Sequence, residues 1–351
     1  MSPDKDVKKY ATPRVAAPDV KGERILSGMR PTGKLHVGHL WGVLENWKNL
    51  SADRRNKCFF MVADIHALTT EYAAPASLYN LSLEVVKDWL ASGIEPDRAV
   101  IFRQSDIPEH AELHLYLSMI TPLGWLSGCP TYKDQIKELK DRDLHTYGFL
   151  GYPLLQASDI LLYKATAVPV GEDQLPHIEM TRQVARKFNS LYGGEKGIFP
   201  EPKSLITRYP KVPGTDGRKM SKSYGNAIYL DDESDVLRKK INSMFTDPEK
   251  IKIDDKGHPD GCVVFAFHKI LAPGQYATCR HEECRLGKIG CVRCKKELLE
   301  FFDSALAPIR EKRRRISDGD AAEILKKGAS EAAETAVPTI KEVKKAMGLN
   351  R

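Results

Sequence analysis

The first strongly patterned segment of the chain is Arg24-Ile25-Leu26-Ser27-Gly28-Met29, followed closely by Pro31-Thr32-Gly33-Lys34-Leu35-His36-Val37-Gly38-His39-Leu40. The first part has the apolar content of a buried strand. After it, apolar residues recur at helical spacing at positions 35, 40, 43, 44 and 47, so the sequence predicts a strand that leads into a helix. Two glycines and the free backbone N–H groups of such a helix N-terminus favour the binding of phosphate.

Apolar strands and helical segments alternate from this point onward. Further strands are predicted at 58–62 and 99–102, and helices at 78–90, 111–120 and 175–188. This alternation predicts an α/β protein with a Rossmann-like, doubly wound parallel sheet. Beyond residue 232 the pattern is helical, with helices predicted at 236–245, 297–310, 321–327 and 340–347. We therefore expect a disordered tail at 1–22, a catalytic domain at 23–231 and a helical domain at 232–351.

A second element, Lys219-Met220-Ser221-Lys222-Ser223, lies within a glycine-flanked segment at 214–225. A loop of this kind can close over a triphosphate and bring Lys219 and Lys222 against a departing pyrophosphate. His36 and His39 could donate hydrogen bonds to the phosphate oxygens as charge builds up on them. Alone, each element could be a structural histidine pair or a solvated loop. Together, and in this order, they indicate adenylate formation from ATP.

Length and charge restrict the class of protein. The 351 residues can bury a large core, and a net charge of +7 allows an RNA-binding surface without requiring one. The sequence has no run of about 18 apolar residues, and charges are spread through its first 21 residues, unlike the apolar core of a signal peptide. We expect a cytoplasmic protein. The basic run at 310–315 is either a solvated helix face or a contact for RNA phosphates.

The two elements resemble the signatures of the class I aminoacyl-tRNA synthetases, and the chain is most similar to the tryptophanyl members of that family. The resemblance runs from about Ile25 to the C-terminus and is most specific at 26–33, 64–69, 152–163 and 168–179. It implies activation of tryptophan as tryptophanyl-AMP, transfer to the 2′-hydroxyl at the 3′ end of tRNA(Trp), a Mg²⁺ ion that travels with ATP, and a homodimer. The implied ATP-binding residues are Met29, Arg30, Pro31, Thr32, Gly38, His39, Gly171, Asp173, Lys219, Met220, Ser221, Lys222 and Ser223.

The choice of amino acid depends on one predicted helix face. Tyr152, Gln156 and Asp159 follow one another at helical spacing and can line one wall of a pocket. An aspartate there accepts a hydrogen bond from an indole N–H or a phenol O–H, so both tryptophan and tyrosine fit by chemistry alone. The resemblance implies that Asp159 binds the indole nitrogen. It also places Leu26 where tyrosyl enzymes usually carry a tyrosine.

Gln156 matches a glutamine that is common in tyrosyl enzymes, so a tyrosyl-tRNA synthetase remains an alternative. The resemblance further implies that Gln174 reaches the amino acid's α-amino group and that Asp173 approaches the ATP ribose, although the same turn could simply cap a helix. The implied tryptophan-binding residues are Leu26, His66, Tyr152, Gln156, Asp159, Val168, Val170 and Gln174.

Four cysteines, Cys262, Cys284, Cys291 and Cys294, form a Cys-x21-Cys-x6-Cys-x2-Cys pattern that is typical of a metal site. Disulfides are the alternative, but they are uncommon in cytoplasmic proteins. Zinc and a [4Fe-4S] cluster both accept four thiolates. A subset of tryptophanyl enzymes with a similar pattern carries a [4Fe-4S] cluster in the anticodon-binding domain, with a first gap one residue longer. Cys279 could replace Cys284 in a zinc site.

Basic side chains surround these cysteines and could meet RNA phosphates: Arg280, Arg285, Lys288, Arg293, Lys295 and Lys296. Two other classes of protein are possible. A non-catalytic RNA-binding paralogue should have lost the histidine and lysine signatures, which are intact here. A small-molecule adenylyltransferase would be shorter and would lack both the lysine loop and the cysteine-containing helical region.

Overall fold

The computed structural model describes residues 20–73, 75–138, 143–206, 212–272 and 274–350. The predicted tail at 1–22 lies outside these residues except for its last three positions. Among the described residues, no helix combines the length and the apolar character that crossing a membrane requires.

A parallel five-stranded sheet with the order β3-β2-β1-β4-β5 forms the centre of the fold in the described part of the chain. Each paired strand runs parallel to its neighbour, and Ile25 of the first strand lies opposite Cys58 of the second. The predicted α/β class with a doubly wound parallel sheet is confirmed. The strands are β1 (Arg24–Met29), β2 (Lys57–Val62), β3 (Ala99–Arg103), β4 (Ala167–Val170) and β5 (Lys203–Ile206).

Helices account for most of the remaining described residues, and a π-helical turn at Leu40–Leu44 separates the first two. The first nine are α1 (Val37–His39), α2 (Glu45–Ala52), α3 (Asp64–Glu71), α4 (Leu78–Ala91), α5 (Glu109–Ser118), α6 (Leu123–Ser127), α7 (Pro130–Glu138), α8 (Tyr147–Leu162) and α9 (Leu175–Tyr192). They are followed by α10 (Ser234–Asn242), α11 (Val263–Leu271), α12 (Tyr276–Arg285), α13 (Cys291–Arg314) and α14 (Asp318–Ala346).

Continuous apolar runs explain why the central strands are buried. The β2 residues from Cys58 to Val62 are all buried, as expected for a strand covered on both faces of a parallel sheet. Trp47 stacks on Phe60 with ring centroids 4.4 Å apart and meets Trp89 edge-on at 5.0 Å. These aromatic contacts attach α2 and α4 to the sheet.

The chain divides into two compact units, which we describe separately. The sheet unit comprises Pro18–Gly33, Trp47–Thr207 and Ser317–Arg351, and the helical unit comprises Lys34–Asn46 and Arg208–Ile316. This division differs from the predicted domains in three places. The segment with His36 and His39 groups with the helical unit, and so does the lysine loop with the residues up to 231. The C-terminal helix groups with the sheet.

Small residues on α14 explain its place in the sheet unit. Gly328 lies so close to β3 that a Cβ at this position would be 1.8 Å from the carbonyl oxygen of Ile101. Ala332 and Ala336 are fully buried on the same helix. The helices predicted separately at 321–327 and 340–347 are one helix, Asp318–Ala346, so that prediction was wrong. Its N-terminus is fixed by a capping box between Ser317 and Asp320.

We predict that Gly328→Ala destabilises the protein by about 1–3 kcal/mol, because the added methyl group must push α14 away from β3. A matched change on the same helix, Gly319→Ala, adds a methyl group whose nearest neighbour is 3.5 Å away and should be neutral or slightly stabilising. Thermal unfolding midpoints of the two variants test the prediction. Equal midpoints would contradict this account of the helix contact.

Candidate active site

Backbone pairing joins the two elements that the sequence singles out. The Val37 N–H donates to the Ile228 carbonyl at 2.9 Å, and the Leu230 N–H donates to the Leu35 carbonyl at 3.0 Å. Lys34 forms an ion pair with Asp231 at 2.6 Å beside this pairing. Within the helical unit, the histidine element therefore lies against the segment that directly follows the lysine loop.

The histidines of the first element cap the short helix α1. Nδ1 of His36 accepts from the Gly38 N–H at 3.1 Å, and Nδ1 of His39 accepts from the His36 N–H at 3.2 Å. Because both Nδ1 atoms are acceptors, each neutral ring carries its proton on Nε2. Gly38 is required by this arrangement, since a Cβ there would lie 2.9 Å from the His36 ring.

Both rings are neutral at physiological pH. Burial, together with the nearby Lys222 ammonium, lowers the pKa of His36 to about 4. Burial, with His36 and Lys222 as further causes, lowers the pKa of His39 to about 3. The structure thus brings three of the four predicted catalytic residues into electrostatic contact. The two imidazoles can donate Nε2–H hydrogen bonds, and the lysine supplies the positive charge.

Asn226 fixes the shape of the lysine loop, a role that no pattern in the sequence predicted. Its Oδ1 accepts from the Ser221 N–H at 2.8 Å, and its Nδ2 donates to the Lys219 carbonyl at 3.2 Å. Gly214 leaves room for this side chain, because a Cβ there would lie 2.2 Å from Nδ2. Lys219 itself is exposed, and Met220 is buried. The Ser223 side chain lies outside the described part of the structure.

In the sheet unit, predicted ATP-binding residues follow the carboxyl ends of β1 and β4, the edge where ligands bind in parallel sheets. Met29 ends β1, and the Thr32 N–H donates back to the Arg30 carbonyl at 2.9 Å. After β4, Asp173 folds back towards Gly171, where a Cβ would lie 2.7 Å from its Oδ1. Gln174 donates to the other oxygen of Asp173 at 3.0 Å. Pro31, which lies between Arg30 and Thr32 in the first of these turns, is buried.

Asp159 is the centre of a buried polar network in the sheet unit. Its Oδ2 accepts from Nε2 of His66 at 2.8 Å. Its Oδ1 lies 2.6 Å from Nδ1 of His110 and accepts from Nε2 of Gln104 at 2.8 Å. Burial raises the pKa of this carboxyl, but the electrostatic effect and the hydrogen bonds of His110 and His66 outweigh it and bring the pKa to about 2. Asp159 is therefore an anion.

A second network connects the other residues on the same face of α8. Gln156 accepts from Nδ1 of His177 at 2.6 Å, and the Tyr152 hydroxyl donates to Oγ1 of Thr131 at 3.0 Å. Thr131 in turn contacts Nε2 of His177. Burial raises the pKa of Tyr152 to about 12, so its hydroxyl stays protonated.

The predicted apolar residues of the tryptophan site belong to the core of the sheet unit. Leu26, Val168 and Val170 are buried in one hydrophobic cluster that also contains residues of α8. Sequence reasoning did not predict several polar members of the two networks, namely Gln104, His110, Thr131, Tyr163 and His177. The signal that could have identified them is a polar residue among apolar neighbours, because a polar side chain that is buried needs a hydrogen-bond partner.

The four predicted metal ligands line one cavity of the helical unit. Cys262 precedes α11, Cys284 lies in α12, and Cys291 and Cys294 lie in the first turn of α13. Cys279 is exposed and does not line this cavity. In the described ranges, no three His, Cys, Asp or Glu side chains are arranged to hold a single ion.

Burial affects the protonation of these thiols. It raises the pKa of Cys294 to about 12 and also raises the pKa values of Cys262 and Cys284. The positive side chains of Lys250 and Arg280 line the same cavity. Metal binding here would have to displace thiol protons, and the two cations would then offset thiolate charge.

Several of the basic residues expected to meet RNA have internal partners. Arg280 is buried with Glu297 at 3.1 Å, and Arg310 of the basic run is buried with Asp303 at 2.8 Å. Lys295 donates to the Asn242 carbonyl at 2.6 Å, and Arg293 donates to Glu297 at 3.0 Å. The exposed basic side chains of this region include Arg285, Lys288, Arg293 and Lys296.

We predict that acid destabilises the protein partly through His36. Its pKa is lowered from 6.5 to about 4 on folding, so the stability it contributes is present above pH 6.5 and is lost as the pH falls towards 4. His36→Asn keeps a side chain that can cap α1 but removes the titration. Between pH 7.5 and pH 5 the wild type should lose about 2 kcal/mol more stability than the variant. Unfolding midpoints at both pH values measure this, and identical losses would refute it.

Comparison with known proteins shows the family of this chain. The family of tRNA synthetases class I (W and Y) matches residues 21–307. A tryptophan–tRNA ligase of Thermotoga maritima is 49% identical over 93% of this chain and 99% of its own length, and that of Aquifex aeolicus is 44% identical over 93% and 100%. The tryptophanyl-tRNA synthetase of Campylobacter jejuni, solved with ADP and tryptophan, has a TM-score of 0.84 at 31% identity and covers 93% of this chain and 100% of its own. The chain therefore belongs to the class I tRNA synthetase family of the tryptophan and tyrosine enzymes.

Proposed function

We propose that this protein is a tryptophan–tRNA ligase that activates L-tryptophan with ATP and transfers it to the 3′ end of tRNA(Trp). The observation that carries the proposal is the buried Asp159 anion on the face of α8, a hydrogen-bond acceptor suited to an indole N–H. Family membership and relatives named tryptophan–tRNA ligases support the same reaction.

In the first step, a tryptophan carboxylate oxygen attacks the α-phosphorus of ATP. A new P–O bond forms, the bond to the β-phosphate bridge breaks, and pyrophosphate leaves with the electron pair. The protein needs no nucleophile for this reaction. His36 and His39 donate Nε2–H hydrogen bonds to phosphate oxygens, while Lys219 and Lys222 stabilise the pyrophosphate. A Mg²⁺ ion bound with ATP would add positive charge at the phosphates.

We assign the remaining ATP contacts to Met29, Arg30, Pro31, Thr32, Gly38, Gly171, Asp173, Met220, Ser221 and Ser223. Positions at strand ends and beside the histidine element support this assignment. Tryptophan is held by Asp159 and His66 at the indole, by Gln174 at the α-amino group, and by Leu26, Tyr152, Gln156, Val168 and Val170 along the pocket wall.

In the second step, the 2′-hydroxyl of the terminal tRNA ribose attacks the carbonyl carbon of tryptophanyl-AMP and releases AMP. We assign anticodon binding to the helical region after residue 232, where exposed Arg285, Lys288, Arg293 and Lys296 can meet phosphates. We further propose a cytoplasmic homodimer, as the family resemblance implies.

The argument for tyrosine as the alternative substrate rested on Gln156. The carbonyl oxygen of this side chain already accepts a hydrogen bond from His177 at 2.6 Å. Its amide group therefore has a fixed orientation within the protein's own network. Leu26 is fully apolar and offers no partner to a phenol hydroxyl. Both observations favour tryptophan over tyrosine.

Amino-acid-dependent ATP–pyrophosphate exchange tests the proposed function. We expect exchange with tryptophan and at least about 1000-fold less with tyrosine, because a pocket with a buried hydrogen-bond partner rejects a ligand that does not match it. Exchange with tyrosine instead would show that the substrate is tyrosine, as the match of Gln156 to tyrosyl enzymes suggested. No exchange with either amino acid would favour the non-catalytic RNA-binding alternative.

Variants of the lysine loop sharpen this test. Lys222→Gln should reduce the exchange rate about 100-fold or more, because it removes positive charge from the phosphate site. Lys252→Gln removes the same charge from an exposed position in the helical unit and should leave the rate unchanged. Equal rates for the two variants would refute the assignment of Lys222.

We also propose that Cys262, Cys284, Cys291 and Cys294 hold a [4Fe-4S] cluster. The proposal is supported by the Cys-x21-Cys-x6-Cys-x2-Cys pattern and by the position of all four thiols along one cavity. The exposure of Cys279 argues against its replacing Cys284. When bound, such a cluster would cross-link α11, α12 and α13 and order the surface around them.

Protein purified without oxygen should contain about four iron and four sulfide per chain. Cys291→Ser should lose the metal and weaken tRNA binding while it retains tryptophan-dependent exchange. Cys279→Ser, at an exposed position, should retain the metal. One zinc per chain would refute the cluster, and complete loss of exchange in folded Cys291→Ser would contradict the separation of roles.

A further inference from the structure

The two carboxylate oxygens of Asp159 have different surroundings. Oδ1 faces His110, which is fully buried, and also accepts from the buried Gln104. Oδ2 accepts from His66, whose side chain is 12% exposed. An ionised carboxylate has about two acceptor positions on each oxygen. Among the residues that the structure describes, Oδ1 is therefore saturated by the protein, and Oδ2 keeps one position for a ligand.

His110 also forms a hydrogen bond with Tyr163 on the side of its ring away from Asp159. Its Nε2 lies 2.9 Å from the Tyr163 hydroxyl, while its Nδ1 faces Asp159. Burial, together with the Asp159 charge, raises the pKa of Tyr163 well above its ordinary value, so the hydroxyl keeps its proton. A neutral His110 that accepts this proton at Nε2 carries its own proton on Nδ1, the nitrogen that faces the carboxylate.

The packing of Tyr163 makes this arrangement rigid. Its ring is fully buried against Phe59 and Phe102, with centroids 4.8 and 5.3 Å away. The hydroxyl therefore has a fixed position behind His110. Without it, the imidazole could adopt the opposite tautomer and turn a lone pair towards the carboxylate, which would repel it.

We propose that Tyr163 and His110 are positioning residues for tryptophan recognition. The Tyr163 hydroxyl fixes the tautomer of His110, and His110 with Gln104 occupies Oδ1, so that Asp159 offers Oδ2 to the indole N–H. The inference rests on the proposed function, since it assigns the means by which the same site selects its amino acid. It predicts that selectivity for an N–H group depends on residues that do not touch the substrate.

Tyr163→Phe removes only the hydroxyl and tests the proposal. The KM for tryptophan in pyrophosphate exchange should rise about tenfold, with kcat and the KM for ATP within twofold of wild type. The preference for tryptophan over its benzothiophene analogue, which lacks the N–H group, should fall about fivefold or more. Tyr116→Phe is the matched control, because Tyr116 donates to Glu112 outside this network, and it should change neither value.

Two substitutions of His110 separate hydrogen bonding from packing. His110→Asn can keep an N–H donor towards Oδ1 and should retain most of the preference for tryptophan over the analogue. His110→Leu removes the donor and should lose it. If His110→Leu does not fold, the Asn variant and Tyr163→Phe still decide the question.

The proposal is overturned if Tyr163→Phe leaves the KM for tryptophan and the preference over the analogue within twofold of wild type. It is also overturned if that variant weakens tryptophan, the analogue and ATP equally, which a purely structural role predicts. Failure of the proposed function would be distinct, because the wild type would then show no tryptophan-dependent exchange.

Discussion

Antiparallel pairing of residues 35–37 with residues 228–230 is the constraint on which the proposed phosphate-binding chemistry depends. It brings a histidine element near the start of the chain against a lysine loop beyond the middle, and so allows the Lys222 charge to act on both imidazoles. The histidines then use one ring nitrogen to cap their own helix, which leaves the other as an N–H donor. Local capping and long-range pairing together produce neutral donors beside a positive charge.

In the sheet unit, the corresponding constraint is the cost of burying Asp159. An isolated buried carboxylate would be protonated, but the donors from His66, Gln104 and His110 keep it ionised. Two of these donors follow the carboxyl ends of β2 and β3, so the parallel sheet determines where they converge. The same hydrogen bonds that stabilise the anion also fix its direction. The proposed recognition of tryptophan and the stability of the Asp159 anion therefore share one set of contacts.

The sequence predicted the elements whose signals are local. Apolar runs predicted β1 to β3, and helical periodicity predicted α4, α5, α9 and α10 to within a few residues. The prediction for α13 began six residues too late, and no helix was predicted at α6, α7, α11 or α12. The spacing of Tyr152, Gln156 and Asp159 correctly indicated a shared helix face. The sequence pattern predicted two helices where the structure has the single helix α14. The stretch between them is rich in alanine and shows no clear apolar periodicity, and its burial comes from contact with β3. The sequence also gave no prediction for Asn226, His110 or Tyr163, whose partners lie far away along the chain.

The sequence by itself determined the fold class, the family resemblance and the chemical identity of the candidate site residues. Those properties depend on residue type, short spacings and periodicity, which can be read along the chain. The tertiary structure decided which nitrogen of each histidine is a donor, which oxygen of Asp159 stays available, and which cysteines share a cavity. The physical reason is that tautomers, pKa values and hydrogen-bond saturation depend on neighbours and burial, and folding brings those neighbours from distant parts of the chain.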